Sequence, residues 1–252
     1  MIRLGLIGYP LTHSFSRRYF TEKFEREGIP DACYELFPLP GIARLPDLLA
    51  QNPDLLGLNV TIPHKVTVIP FLDALDATAQ AVGAVNTIRI RNGRLTGFNT
   101  DAPGFRTSLE NIDGGRWARA EPGKQALILG AGGAARAVAY VLGQLGIPFR
   151  LVSRQPAEGS GQLSYTGLRA LDFGKIRWIF NASPVGAFPE VSVCPDLPYE
   201  RLHAAQLVYD LVYNPAETLL LQRAKAQGAT TANGLEMLHL QAEAAWAIWR
   251  SA

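Results

Sequence analysis

Gln125-Ala126-Leu127-Ile128-Leu129-Gly130-Ala131-Gly132-Gly133-Ala134-Ala135 decides the fold. The first five residues read as a buried parallel strand, and residues 134–145 read as a helix. The joint between them, Gly130 to Ala135, has the GxGxxA form of a dinucleotide-binding turn. There the first glycine makes the tight turn, the second lets a pyrophosphate approach the backbone, and the small third residue permits close helix packing. A plain strand-to-helix turn is the alternative reading, but a strand before and a helix after are the context a phosphate cradle needs. Gly130, Gly132, Gly133 and Ala134 are therefore candidate cofactor-binding positions.

About 20 residues beyond the first glycine, NAD-binding sites carry an acid for the ribose hydroxyls. Here the chain reads Val152-Ser153-Arg154, with no carboxylate. A guanidinium takes a ribose 2′-phosphate bidentately, whereas an acid repels it. Ser153 and Arg154 thus favour NADP (NADPH) over NAD. Arg136, in the first turn of the helix, reads equally as a phosphate helper and as a solvated surface residue.

Working outward, strand-like runs at 149–153, 178–181 and 207–211 are each followed by a Pro or Gly turn, which predicts a doubly wound second half. Upstream, strand-like runs at 4–7, 33–37 and 57–61 alternate with helical stretches at 16–27 and 42–50, a βαβαβ rhythm. Residues 85–91 and 94–98 flank Asn92-Gly93 and predict a hairpin at the edge of the first sheet. The polar, glycine-rich stretch 111–123 separates the halves. The last segment places Leu235, Leu238, Ala242, Ala245 and Trp249 on one helical face, with Met237, Gln241, Ala244 and Ile248 on the adjoining one, so a strongly buried helix is expected.

Composition narrows the function. The 252 residues are 48% hydrophobic and 18% charged, a globular balance. A net charge of +2 without like-charge blocks lacks the footprint of a nucleic-acid binder. Cys33 and Cys194 make neither a CxxC motif nor a stapled scaffold, which suits a reducing compartment. No signal-peptide pattern and no apolar run of ~20 residues is present, so a cytoplasmic protein free of the membrane is expected. His13, His64, His203 and His239 lack HxxH or HExxH spacing, and no metal is expected.

Two further polar clusters stand at predicted strand ends, where ligands gather in open α/β sheets. They are Asn59-Val60-Thr61-Ile62-Pro63-His64-Lys65 and Asn99-Thr100-Asp101. Their residues alone suit turn chemistry, with Asn and Asp capping backbone and Lys65 solvated, as well as they suit a site.

Taken together these stretches resemble the shikimate dehydrogenase family nearly end to end. Gly8-Tyr9-Pro10-Leu11-Thr12-His13-Ser14-Phe15-Ser16 is similar to the family's substrate loop, and the resemblance implies that Ser14 and Ser16 meet a substrate carboxylate. Asn59 through Lys65 resembles NVTxPxK, and Gly83-Ala84-Val85-Asn86-Thr87 and Gly97 through Asp101 follow in order. This implies that Asn59, Thr61, Asn86 and Asp101 contact substrate hydroxyls. In the second half the glycine turn, Ser153-Arg154, Asn181-Ala182-Ser183-Pro184-Val185-Gly186 and Tyr209 through Pro215 match. Asn233-Gly234-Leu235-Glu236-Met237-Leu238 and Gln241 complete the series. By this resemblance Asn181, Ser183, Val212, Gly234 and Met237 join the cofactor set, and Tyr213 and Gln241 the substrate set. Three departures stand out: Arg17-Arg18-Tyr19-Phe20 after the loop, Ala187 after Gly186, and Gln155 after Arg154.

The resemblance implies a Rossmann-like NADP domain over residues 102–233. It also implies a catalytic, substrate-binding domain over residues 1–101 plus 234–252, with the last helix packing back on the first domain. The implied reaction is the reversible NADPH reduction of 3-dehydroshikimate to shikimate, a step of chorismate and aromatic amino-acid biosynthesis. Lys65 would stabilise and protonate the growing alkoxide, and Asp101 would hold the same hydroxyl. Domain closure about residues 101–104 and 233–234 is expected, in a monomer or homodimer. The rival readings are a quinate/shikimate dehydrogenase using NAD or NADP, and a non-catalytic dinucleotide sensor on the same fold.

Overall fold

The computed structural model describes residues 1–12 and 14–251. His13, inside the expected substrate loop, and Ala252 lie outside the described residues. The chain forms two compact units, Met1–Thr100 with Ala242–Ala252, and Asp101–Gln241.

The first unit runs β1 (Ile2–Gly8), α1 (Phe15–Arg26), β2 (Ala32–Pro38), α2 (Leu45–Gln51), β3 (Leu55–Val60), α3 (His64–Thr67), β4 (Ala74–Leu75), α4 (Ala77–Val82), β5 (Thr87–Arg91) and β6 (Arg94–Phe98). Its six strands are ordered β2-β1-β3-β5-β6-β4. The first three are parallel, and the β5–β6 hairpin joins antiparallel to β3. Asn92 and Gly93 take φ of 50° and 74°, the positive pair that a two-residue hairpin turn needs. The hairpin does not close the sheet, contrary to expectation: β4 pairs in parallel outside β6. Two residues are too few to leave an alternating pattern in the sequence.

The second unit runs α5 (Asp101–Asn111), β7 (Gln125–Leu129), α6 (Gly133–Gln144), β8 (Phe149–Ser153), β9 (Leu163–Ser164), β10 (Ile176–Asn181), β11 (Leu207–Asp210), α7 (Leu219–Ala226), β12 (Thr230–Asn233) and the start of α8 (Leu235–Arg250). All six strands are parallel, in the order β12-β11-β10-β7-β8-β9. Numbered within the unit this is 3-2-1-4-5-6 read from the other edge, the doubly wound dinucleotide-binding arrangement. The order in which the chain adds strands reverses between β7 and β10. Residues 154–162 link β8 to β9 without a helix.

Each sheet is buried as its composition demands. β7 carries Ala126, Leu127, Ile128 and Leu129 wholly out of solvent, as a parallel strand covered on both faces should. In the first unit, Leu4, Leu6, Phe20, Phe24 and Tyr34 pack with Ala242, Ala245, Trp246 and Trp249 from the second half of α8. A second cluster gathers Ile7, Leu58, Val60, Val85 and Ile88. The last helix therefore packs into the first unit's core, with Trp246 joining the expected face. Its first residue departs from expectation: Leu235 is 36% exposed. Gly57 lets Trp249 lie against the sheet, because an added Cβ would overlap the indole, whose Nε1 donates to the Ile88 carbonyl at 2.9 Å. No helix among the described residues is long and apolar enough to cross a membrane.

Candidate active site

In the first unit the predicted residues collect beyond the carboxyl ends of β1 and β3. Ser14 is the N-cap residue of α1 and donates its N–H to the Leu11 carbonyl at 3.2 Å; Ser16 follows in the first turn. Thr61 leaves β3 and ties back to β1 by donating its N–H to the Ile7 carbonyl at 2.9 Å. Lys65 lies in the single turn of α3, half-buried, with its carbonyl accepting from Val85 N–H at 2.7 Å. That bond pins α3 to the residue just before Asn86.

Beneath them lies a buried polar network that sequence reasoning found only in part. Asn59 and Asn86 are 6% and 2% exposed. Asn59 Oδ1 accepts from the Tyr34 hydroxyl at 2.7 Å, and its Nδ2 donates to the Asn86 carbonyl and to Thr87 Oγ1, both at 3.2 Å. Asn86 Nδ2 donates to Thr100 Oγ1 at 2.8 Å, and Asn86 Oδ1 accepts from Thr100 N–H at 2.7 Å. Buried amides keep one orientation only when both ends are partnered, and this network partners them. Tyr34 was not expected here, and Thr87 and Thr100 stood in the quoted motifs without a role of their own. Burial holds the Tyr34 hydroxyl well above its usual pKa, against a hydrogen bond from Ser16 that acts the other way.

In the second unit the cofactor candidates stand at the carboxyl ends of β7, β8, β10, β11 and β12. Gly130 has φ of 120°, and an added Cβ would come within 3.1 Å of the Ala182 carbonyl oxygen. A Cβ on Gly132, the N-cap of α6, would meet nothing within 4 Å, so its backbone is open to a close-lying ligand. Gly133 and Ala134 open the helix. Ser153 ends β8, and Arg154 after it is exposed, as a guanidinium receiving a phosphate must be. These features fit a dinucleotide carrying a ribose 2′-phosphate.

Across the reversal point, Asn181 ends β10 fully buried. Its Oδ1 accepts from Ser183 N–H at 3.1 Å and from Ser183 Oγ at 2.6 Å, which folds the 181–185 loop back on the strand. Asp210, at the end of β11, accepts from Asn181 Nδ2 at 2.8 Å, Val212 N–H at 3.0 Å and Thr218 Oγ1 at 2.6 Å. Burial pushes its carboxyl up to about 6, although all three hydrogen bonds pull the other way. One carboxylate thus fixes two loops, including buried Val212 and half-buried Tyr213.

Gly234 packs so closely on the Leu211 backbone that no side chain fits. It precedes α8, where Met237 is buried and Gln241 donates through Nε2 to the Leu238 carbonyl at 2.9 Å. Asp101, 4% exposed, begins α5 in this unit, whereas Lys65 belongs to the first. Among the described residues no group of three or more His, Cys, Asp or Glu could hold a metal ion.

Comparison with known proteins agrees with this geometry. The family model of the shikimate dehydrogenase substrate-binding domain matches residues 6–88. The chain is 40% identical to shikimate dehydrogenase (NADP(+)) of Symbiobacterium thermophilum, over 98% of this chain and 88% of that protein. It is 38% identical to the protein of the same name from Methanocaldococcus jannaschii, over 98% and 90%. Among solved structures, shikimate 5-dehydrogenase of Thermus thermophilus in complex with NADP(H) and shikimate superposes with a TM-score of 0.81 at 35% identity, over 99% of this chain and 94% of that one. With these relatives spanning almost its whole length, the chain belongs to the shikimate dehydrogenase family.

Proposed function

We propose that the chain catalyses the NADP-dependent, reversible reduction of 3-dehydroshikimate to shikimate in the cytoplasm, a step toward chorismate and the aromatic amino acids, as a monomer or homodimer. The observation that carries this reading is the near full-length identity to NADP(+) shikimate dehydrogenases, with the family's polar residues kept at both sets of strand ends. The two cysteines, both free, suit a reducing compartment.

Residues 1–101 with 234–252 take the substrate, and residues 102–233 take the cofactor. Ser14 and Ser16 receive the carboxylate; Asn59, Thr61, Asn86, Tyr213 and Gln241 receive the ring and its hydroxyls. The glycine turn from Gly130 to Ala134 holds the pyrophosphate, Arg154 with Ser153 the 2′-phosphate, and Asn181, Ser183, Val212, Gly234 and Met237 the remainder. NADPH, when bound, supplies the hydride. As the substrate carbonyl becomes an alkoxide, the Lys65 ammonium stabilises the charge on its oxygen and delivers a proton to it from Nζ. Asp101 accepts a hydrogen bond from the same hydroxyl.

A spectrophotometric assay at 340 nm with shikimate or quinate, each with NADP or NAD, tests this reading. Fastest turnover with shikimate and NADP is expected. Preference for quinate, or cofactor binding without turnover of either acid, would overturn it.

A further inference from the structure

Tyr34 sits mid-strand in β2 and is 4% exposed. Its ring stacks on Phe20, with centroids 4.6 Å apart and 12° between planes, and lies tilted against Trp249. Phenylalanine would fill that space equally well. The hydroxyl is what needs a reason: it reaches over β1, which separates β2 from β3, to donate to Asn59 Oδ1 at 2.7 Å.

A side-chain amide has two donor hydrogens and an acceptor oxygen with two lone pairs. Both Nδ2 hydrogens of Asn59 are taken, by the Asn86 carbonyl and Thr87 Oγ1, and Tyr34 takes one lone pair of Oδ1. What Asn59 keeps for a ligand is its second lone pair. A ligand group meeting it must donate, so a hydroxyl fits and a ketone does not. Turned over, the amide would set its oxygen against the Asn86 carbonyl.

We infer that Tyr34 is a positioning residue for substrate recognition: its hydroxyl holds the Asn59 amide with the oxygen turned to accept from a substrate hydroxyl. This rests on the reading of Asn59 as a substrate ligand given above.

The test is Tyr34→Phe in the full-length enzyme, which keeps the ring and removes the bond. One hydrogen bond is worth about 1 kcal/mol net, so KM for shikimate should rise about five- to tenfold. The KM for NADP should be unchanged and kcat should stay within about twofold, a split that general loosening of the fold would not produce. In Asn59→Ala/Tyr34→Phe the rise should fall short of the product of the single effects, because the phenol acts only through that amide. An unchanged shikimate KM in folded Tyr34→Phe, parallel changes in both KM values, or fully multiplicative effects would overturn the inference. Asn59→Ala separates it from the reading beneath it. If it leaves the shikimate KM unchanged, the ligand assignment itself fails and the inference goes with it. If it raises that KM and Tyr34→Phe does not, the inference alone fails. Should Tyr34→Phe not fold, Thr87→Val removes the other side-chain partner of the Asn59 amide: a rise in shikimate KM alone supports the inference, and an unchanged value overturns it.

Discussion

Asn181 donates through Nδ2 to Asp210 Oδ1 at 2.8 Å, so the last residue of β10 is oriented by the last residue of β11. Both are wholly out of solvent. Burial raises the Asp210 pKa from 3.8 to about 6. A carboxyl whose folded pKa lies above its unfolded value binds its proton more tightly when folded. Its contribution to stability is therefore complete below about pH 4 and lost as pH rises through about 6, a change of roughly 3 kcal/mol at most. The difference in unfolding free energy between wild type and Asp210→Asn, followed from pH 4 to 7, should shift toward favouring the variant as pH rises. A pH-independent difference would mean that the carboxyl is not perturbed.

Lys65→Ala should lower kcat on the order of 100-fold or more while moving the shikimate KM little, since the role proposed for Lys65 is to act on charge formed in the transition state. Steady-state kinetics in both directions check this. Turnover near wild type would remove Lys65 from the chemistry.

Arg154→Ala should weaken NADPH by about 30-fold, the worth of roughly 2 kcal/mol in a charge-assisted bidentate contact. NADH should be affected far less, because it lacks the 2′-phosphate. Titration of cofactor fluorescence with each nucleotide gives the comparison, and equal losses would refute the phosphate assignment.

Gly57→Ala should destabilise the protein by about 1 to 3 kcal/mol, the usual cost of overpacking. The new methyl group would displace the Trp249 indole and break its 2.9 Å bond to the Ile88 carbonyl. Thermal melts followed by tryptophan fluorescence should show a lower Tm and an altered folded-state signal. An unchanged melt would show that the helix can shift without cost.

Much of the fold was legible because long apolar runs bracket strong punctuation. The run from Gln125 to Leu129 before Gly130, and the pair around Asn92-Gly93, each announce an element and its end. β9 and β4 were not legible, since two residues carry no periodicity, and β12 reads Thr230-Thr231-Ala232-Asn233, without an apolar pattern. α5 hides behind Pro103 and Gly104 in its first turn. At the candidate site, residues carried by loop motifs could be nominated from sequence. Tyr34 could not, because its meaning lies in the β2-β1-β3 order, which brings a residue 25 positions away to Asn59. Asp210 gave no signal as an organiser either, since its role depends on burial and on three donors, Asn181 at the end of β10 and Val212 and Thr218 in the connection from β11 to α7.

The connection from β8 to β9 has one more consequence. Parallel neighbours are commonly joined by a crossover of about a dozen residues or more, usually helical, yet here residues 154–162 make the crossing as an exposed link with Gly159 and Gly161 at positive φ. Such a segment carries no core side chains and tolerates added length well. It also begins at Arg154. If Arg154 holds the 2′-phosphate as proposed, residues inserted there would stand beside it without disturbing a strand, which makes this link the natural place to re-engineer nucleotide choice in this scaffold.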